Sequence, residues 1–358
     1  MTFDKGLPKL YADRMNIIRL LAMCSIVWGH CLYGWEEKVF CRPDYQIIQA
    51  VIIQSGRIGT IWFFLISGFF LSDKLSGFNI VSFTRYRLLS LIVPWAIFLS
   101  LYILIEVVHL SPDKQILHGD IKPAIHMSFE LFKAFIFHGA YWFIPASIIT
   151  AYVLITLKKY INQPWLCITL ICFTVFYSVN LYYRWITVDH TKAFWGYTLF
   201  LWMGIQVKRN IDQFKVALDK IPWTLLLTCL ILMFTLSCWE GIKLTQIGCA
   251  DAYSSLRCSN SILAIAGFLC LLKSDGFQWI HKLNSAKYVY GIYLVHSIIG
   301  TEISPFLNRY LAHYSLFDNL PYLIVIQCLY FSIVFASSYF LVAGITKSPL
   351  YFVVGRRR

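Results

Sequence analysis

Carboxylates are scarce in this chain: 18 Asp and Glu stand against 31 Lys and Arg in 358 residues. Charged residues of both signs make up only 14%, whereas soluble domains carry about 25%, so a soluble globular class is excluded. Cysteine pairs at C-x-x-C spacing are also missing, although the chain has 11 cysteines. Their absence removes the usual pattern of a zinc site or a thioredoxin-like motif. No short repeat and no low-complexity tract occurs. No leader with a cleavage-site pattern is expected, because Leu7-Pro8-Lys9-Leu10 runs directly into the first apolar stretch.

Apolar residues fill the space that charge leaves. Hydrophobic residues reach 58%, aromatics 17% and mean hydropathy +0.64, which points to an all-α polytopic membrane protein. Runs near 15–35, 55–72, 88–108, 134–156, 165–183, 193–207, 221–239, 258–272, 287–301 and 320–345 approach the ~20 residues needed to cross a bilayer. About ten transmembrane helices are therefore expected, in a single membrane domain over 1–358 with no separate soluble domain.

The segments between runs divide by charge. One face collects 19 Lys and Arg with 6 Asp and Glu; the other has 10 and 12. The basic face is expected in the cytoplasm, with both termini on it. Topology then accounts for the formal +13, with membrane lipids as the partner and no nucleic acid. On the other face, His109, His118 and His126 with Asp113, Asp120 and Glu130 lack tight ligand spacing, so a solvated loop is expected and no metal. Cys41, Cys249 and Cys258, with Cys238 at the edge, leave room for a disulfide on that face.

Ionisable groups inside apolar runs are costly and mark function unless a partner explains them. Arg19 and His30 share the first run, eleven residues apart. That is nearly three helical turns, so both face one side, about 16 Å apart along the axis. Arg19 suits either headgroup snorkelling or an anionic ligand. His30 suits either a helix-to-helix hydrogen bond or general-base work on a hydroxyl. Arg57 precedes Trp62-Phe63-Phe64-Leu65-Ile66-Ser67-Gly68-Phe69, where Ser67 is a packing or a substrate-contacting residue. Arg85 and Arg87 mark the entry to the third run, as topological anchors or as ligands for a phosphorylated donor. Tyr141 and Trp142 belong to an aromatic belt or a site, and His296 is a second intramembrane histidine.

Taken in order, these segments resemble the acyltransferase 3 family of integral-membrane acyltransferases. The family's opening Arg and following His correspond to Arg19 and His30, and its Phe-Phe-x-x-Ser-Gly-Phe signature to Phe63-Phe64-Leu65-Ile66-Ser67-Gly68-Phe69. Its Trp-Phe-Leu segment corresponds to Trp142-Phe143-Ile144, and its Gly-Ile-Tyr-Leu-x-His segment to Gly291-Ile292-Tyr293-Leu294-Val295-His296. Two positions depart: Asn16 stands where an Asp is common, and Arg87-x-x-Ser90 where Arg-x-x-Arg is usual, with Arg85 as the candidate substitute.

The resemblance implies transfer of an acyl group, usually acetyl, from cytoplasmic acyl-CoA to a hydroxyl of an envelope sugar or lipid-linked glycan. It implies a multi-pass protein of a bacterial inner membrane, with acetyl-CoA as donor substrate and no permanently bound cofactor. His30 and Arg19 would be catalytic, and Arg19, Arg85 and Arg87 would bind the donor. Arg57, Ser67, Tyr141, Trp142 and His296 would contact substrate. The alternative is a glycan or lipid transporter or flippase using the same polar path, although Glu106 and Glu302 lie only at span ends.

Overall fold

The computed structural model describes residues 7–32, 45–110, 122–187, 190–276, 278–283, 285–311 and 320–355. Cys41, Asp113, His118 and Asp120 lie outside the described residues. The described residues fold into helices joined by turns and bends, with no strand among them. In chain order the helices are α1 (Leu7–His30), α2 (Gln46–Ser55), α3 (Gly59–Ser72), α4 (Ile80–Arg87), α5 (Val93–Leu110), α6 (Lys122–Phe137), α7 (Phe143–Thr156) and α8 (Pro164–Tyr183). They continue with α9 (Phe194–Arg209), α10 (Ile211–Lys220), α11 (Trp223–Gln246), α12 (Cys258–Lys273), α13 (Ser285–Leu311) and α14 (Leu320–Lys347). A π-helical turn, Leu88–Ile92, joins α4 to α5.

Among the described residues, each apolar run is largely helical. Five segments are long and apolar enough to cross a membrane: Gln46–Ser72, Ile80–Leu110, Pro164–Tyr183, Trp223–Gln246 and Pro321–Lys347. The bent pair Pro123–Phe137 and Ala140–Thr156 makes a sixth if taken as one span. α9 and α12 are shorter, at 16 residues each. α1 interrupts its apolar surface with Arg14 and Arg19.

Local chemistry moves several expected boundaries. Helix α1 ends at His30, where the Cys31 N–H turns back to the Trp28 carbonyl at 3.1 Å. His30 therefore closes the helix, short of the expected end of the apolar run near 35. The fourth run is broken: the N–H groups of His138 and Gly139 both reach the Ala134 carbonyl at 2.9 Å, and the axes of α6 and α7 diverge by 66°. Carbonyls exposed at such an end need donors. The α8–α9 connection supplies them, through His190 N–H to Phe137 at 3.2 Å and the Thr191 hydroxyl to Ile136 at 2.5 Å. Residues 211–220, expected as a loop, form α10, with Ile211 and Leu218 buried and Lys215 and Asp219 exposed. Its last carbonyls are held by Lys273, which donates to Leu218 at 3.0 Å and Asp219 at 3.1 Å.

Lipid-exposed helices gain little from hydrophobic contact with each other, so association depends on close packing and interhelical hydrogen bonds. α3 and α9 cross through two glycines. A Cβ on Gly68 would collide with the Leu201 carbonyl, and one on Gly204 with the Leu65 carbonyl. α5, α8, α11 and α14 turn apolar side chains outward, with Val108 63%, Ile168 61%, Ile231 64% and Phe340 71% exposed.

A buried polar clamp joins α2, α8, α11 and α12. Arg257 is fully enclosed and donates to the carbonyls of Ser237 (2.5 Å) and Ser254 (3.3 Å) and to the Gln54 side chain. Gln54 donates in turn to Asn260 at 2.7 Å. Glu240, which faces Arg257 as counter-charge, accepts from Tyr182 at 2.8 Å and from Ser259. Cys238, Cys249 and Cys258 are free, as are the other described cysteines.

Candidate active site

Two glycines set the position of the first-helix histidine. A Cβ on Gly56 would stand 2.7 Å from the Gly29 Cα, and one on Gly29 would stand 3.1 Å from the Gly56 carbonyl oxygen. Ser25 ties the same junction, accepting from Gly59 N–H at 3.2 Å and donating to the Ser55 carbonyl at 3.3 Å. The backbones of α1 and the α2–α3 break thus touch one residue before His30 and one residue before Arg57. Arg57 is partly exposed, and its Nε is buried without a hydrogen-bond partner among the described residues.

Arg19, nearly three turns earlier on α1, opens into a cavity of about 390 Å³. Arg87, Lys287, Ser67, Ser90 and Tyr290 share its wall. The guanidinium of Arg19 lies 4.9 Å from the Phe70 ring, and that of Arg87 lies 5.3 Å from Tyr86 and 5.6 Å from Phe83. Arg19 and Arg87 are close enough for their charges to repel. Among the described residues, none of Arg19, Arg87 and Lys287 has a carboxylate partner. Cations gathered against self-repulsion in an apolar setting have the chemistry to hold an anion. Arg85 is exposed and lies outside this wall.

The π-helical turn shapes the wall. Such turns displace the regular backbone hydrogen bonds and recur at functional sites. Here the Tyr290 hydroxyl donates to the Leu91 carbonyl at 2.5 Å, while Ser90 donates to Tyr86 at 3.2 Å. Gly355, at φ +79°, packs against the Ser90 carbonyl and the Tyr290 ring where a Cβ would collide.

His30 opens into a second cavity, of about 460 Å³, which it shares with His296, Ser297, Tyr102, Thr301 and Ala140. The two imidazole centroids are 5.3 Å apart. His30 is exposed to this space, whereas His296 is 1% exposed. His296 Nδ1 lies 2.8 Å from the Tyr293 carbonyl and 3.2 Å from that of Ile292, and its Nε2 lies 3.2 Å from the Ser297 hydroxyl. Tyr102 and Thr301 hydroxyls meet at 2.8 Å on the same wall.

Tyr293 divides the two spaces. Its ring lines the Arg19 cavity, lies 6.0 Å from His296, and its hydroxyl donates to the Ala140 carbonyl, a wall residue of the His30 cavity, at 2.7 Å. Phe143 packs beside it at 6.0 Å.

Sequence and structure agree unevenly on the individual residues. Arg19, Arg87 and Ser67 meet in one cavity, and His30 and His296 in the other. Tyr141 is fully buried; its hydroxyl is committed to the Leu294 carbonyl at 2.6 Å. Trp142 stacks on His190 at 5.0 Å and packs on Tyr197 at 5.1 Å, outside both cavities. Lys287, Tyr290 and Tyr293 were not anticipated as site residues. Their spacing of three, on one face of α13, is the signal that would have found them. No group of His, Cys, Asp or Glu suited to a metal occurs among the described residues.

A family model described as an acyltransferase domain matches residues 13–348. No curated protein and no solved structure matches the chain.

Proposed function

The chain belongs to the acyltransferase 3 family, and from that membership we propose an O-acyltransferase that moves an acyl group, acetyl in the first instance, from cytoplasmic acyl-CoA to a hydroxyl of an envelope sugar or lipid-linked glycan. In this proposal all ten apolar runs cross a bacterial inner membrane and both termini face the cytoplasm, in keeping with the charge of the connecting segments. Acyl-CoA is a substrate, and no permanently bound cofactor takes part.

One observation carries the proposal. Three cations without a carboxylate partner among the described residues, Arg19, Arg87 and Lys287, surround one cavity, and the helix that supplies Arg19 ends at an imidazole in the next. The cations suit the phosphates of CoA. The thioester extends past Tyr293 and Phe143 toward His30, which takes the proton of the acceptor hydroxyl as that oxygen attacks the acyl carbon. The carbonyl end of α1 favours the positive charge that forms on the ring. The C–S bond breaks, and CoA leaves as the thiolate and takes up a proton.

The test pairs a binding measurement with a product measurement. Purified protein should bind acetyl-CoA, and envelope glycans from cells with and without the gene should differ by one acetyl group in mass spectrometry. His30→Ala, expressed at the wild-type level, should bind the donor and transfer nothing. Normal transfer by that variant would remove His30 as the base, and absence of acyl-CoA binding by the wild-type protein would overturn the reaction class.

A further inference from the structure

We infer that His296 is the proton-relay partner of His30, a fixed imidazole that receives at Nε2 the proton His30 removes from the acceptor. The inference rests on the acyl-transfer proposal and adds a second residue to it.

The neighbours of His296 assign its tautomer. Nδ1 faces only the carbonyl oxygens of Tyr293 and Ile292, at 2.8 and 3.2 Å. A carbonyl only accepts, so Nδ1 carries the hydrogen and Nε2 presents its lone pair. The Ser297 hydroxyl donates to Nε2 at 3.2 Å. The base is thus held ready, with its ring locked between backbone and serine.

The same contacts accommodate the protonated state. When Nε2 gains a proton, the Ser297 hydroxyl rotates and accepts from it, while the two carbonyls continue to accept from Nδ1. Every N–H of the imidazolium then has an acceptor. His30 differs: it is exposed to the cavity and has no hydrogen-bond partner among the described residues. Its ring centroid lies 5.3 Å from that of His296, a separation that a proton can cross through the Ser297 hydroxyl or one water. His30 is free to meet substrate, and His296 is free to receive from His30.

The balance of the step is as follows. The acceptor O–H gives its proton to one ring nitrogen of His30, the hydrogen on the other nitrogen passes to the Ser297 oxygen, and the Ser297 hydroxyl hydrogen passes to Nε2 of His296. The acceptor oxygen forms the C–O bond, the C–S bond breaks, and the thiolate departs with the electron pair. The proton returns through His30 to the thiolate, and both imidazoles end neutral.

The test uses the full chain in host membranes that contain the natural acceptor and lack the chromosomal gene, with radiolabelled acetyl-CoA as donor. His296→Gln keeps an amide N–H for the carbonyls but has no basic nitrogen. It should lose roughly 100-fold or more in turnover, the usual scale of acid–base assistance, with KM for acetyl-CoA changed by less than about threefold. Imidazole added to His296→Ala should restore part of the turnover, an effect that a packing role does not give. Wild-type turnover in the Gln variant would overturn the inference. So would an Ala variant that imidazole leaves unchanged while the Gln variant, with an unaltered melting temperature, loses donor affinity in step with turnover. An inactive His30→Ala beside a fully active His296→Gln refutes the relay alone; full activity in both refutes His30 as base.

Discussion

Lys287 was hidden in the sequence and prominent in space. It sits at the margin of an apolar run, within a basic connection where a lysine reads as an anchor; only folding brings it beside Arg19 and Arg87. Ser90 occupies the same wall, so Lys287 supplies a cation to the cavity where the expected second arginine is missing. A charge-assisted bond to phosphate is worth about 1.5–3 kcal/mol. Replacing Arg19 or Lys287 with Gln should therefore raise KM for acetyl-CoA roughly 10- to 100-fold, with a smaller effect for acetyl-pantetheine, which lacks the nucleotide phosphates. Equal losses for the two donors in steady-state assays would count against the phosphate contact. That Arg19 and His30 lie on one helix and each lines a cavity was foreshadowed by helical spacing that aligned two ionisable groups in one apolar run. The burial of Tyr141 was not legible, because a hydroxyl bonded to a backbone carbonyl carries no mark in the sequence.

The helices themselves were largely legible, because each apolar run is long and the alternatives to helix in lipid are few. Their breaks were less so. The bend between α6 and α7 depends on donors from His190 and Thr191, more than fifty residues away. The clamp that gathers α2, α8, α11 and α12 is similarly dispersed, with Gln54, Ser237 and Ser254 bonded to Arg257 and Glu240 as its counter-charge. Arg257 was counted as one more charge on the carboxylate-rich face; it is fully buried. Removing one member of a buried charged network typically costs about 3–5 kcal/mol. Arg257→Ala should accordingly lower the melting temperature of the detergent-solubilised protein, and Arg257→Lys should also do so, since one ammonium does not reproduce the guanidinium's fork. An unchanged melting curve in both variants would show that the clamp is dispensable for stability.

At the scale of the molecule, the two cavities give the protein a polarity that helix count alone does not. The Arg19 cavity opens among residues next to the basic segments, and the His30 cavity is lined by the opposite ends of α1 and α13. The proposed orientation predicts that a cysteine introduced at Lys74 reacts with an impermeant maleimide only in inverted vesicles. One introduced at Lys243 should react only in right-side-out vesicles, in a background lacking the native cysteines. The reverse pattern would turn the donor cavity away from the cytoplasm and invalidate acyl-CoA as its ligand.

Arg19 and His30 belong to a single uninterrupted helix, so α1 acts as a ruler. In the proposed reaction, the span between Arg19 at the donor and the His30 imidazole is set by eleven peptide units and cannot be adjusted by a loop. One alanine inserted at Ser25 would lengthen it by only ~1.5 Å but would turn His30 by about 100° relative to Arg19. Transfer should cease while donor binding persists. The enzyme would then select its acyl donors by the length of the arm that carries the thioester, and a donor whose arm is too short would be bound at one end of the ruler without reaching the other.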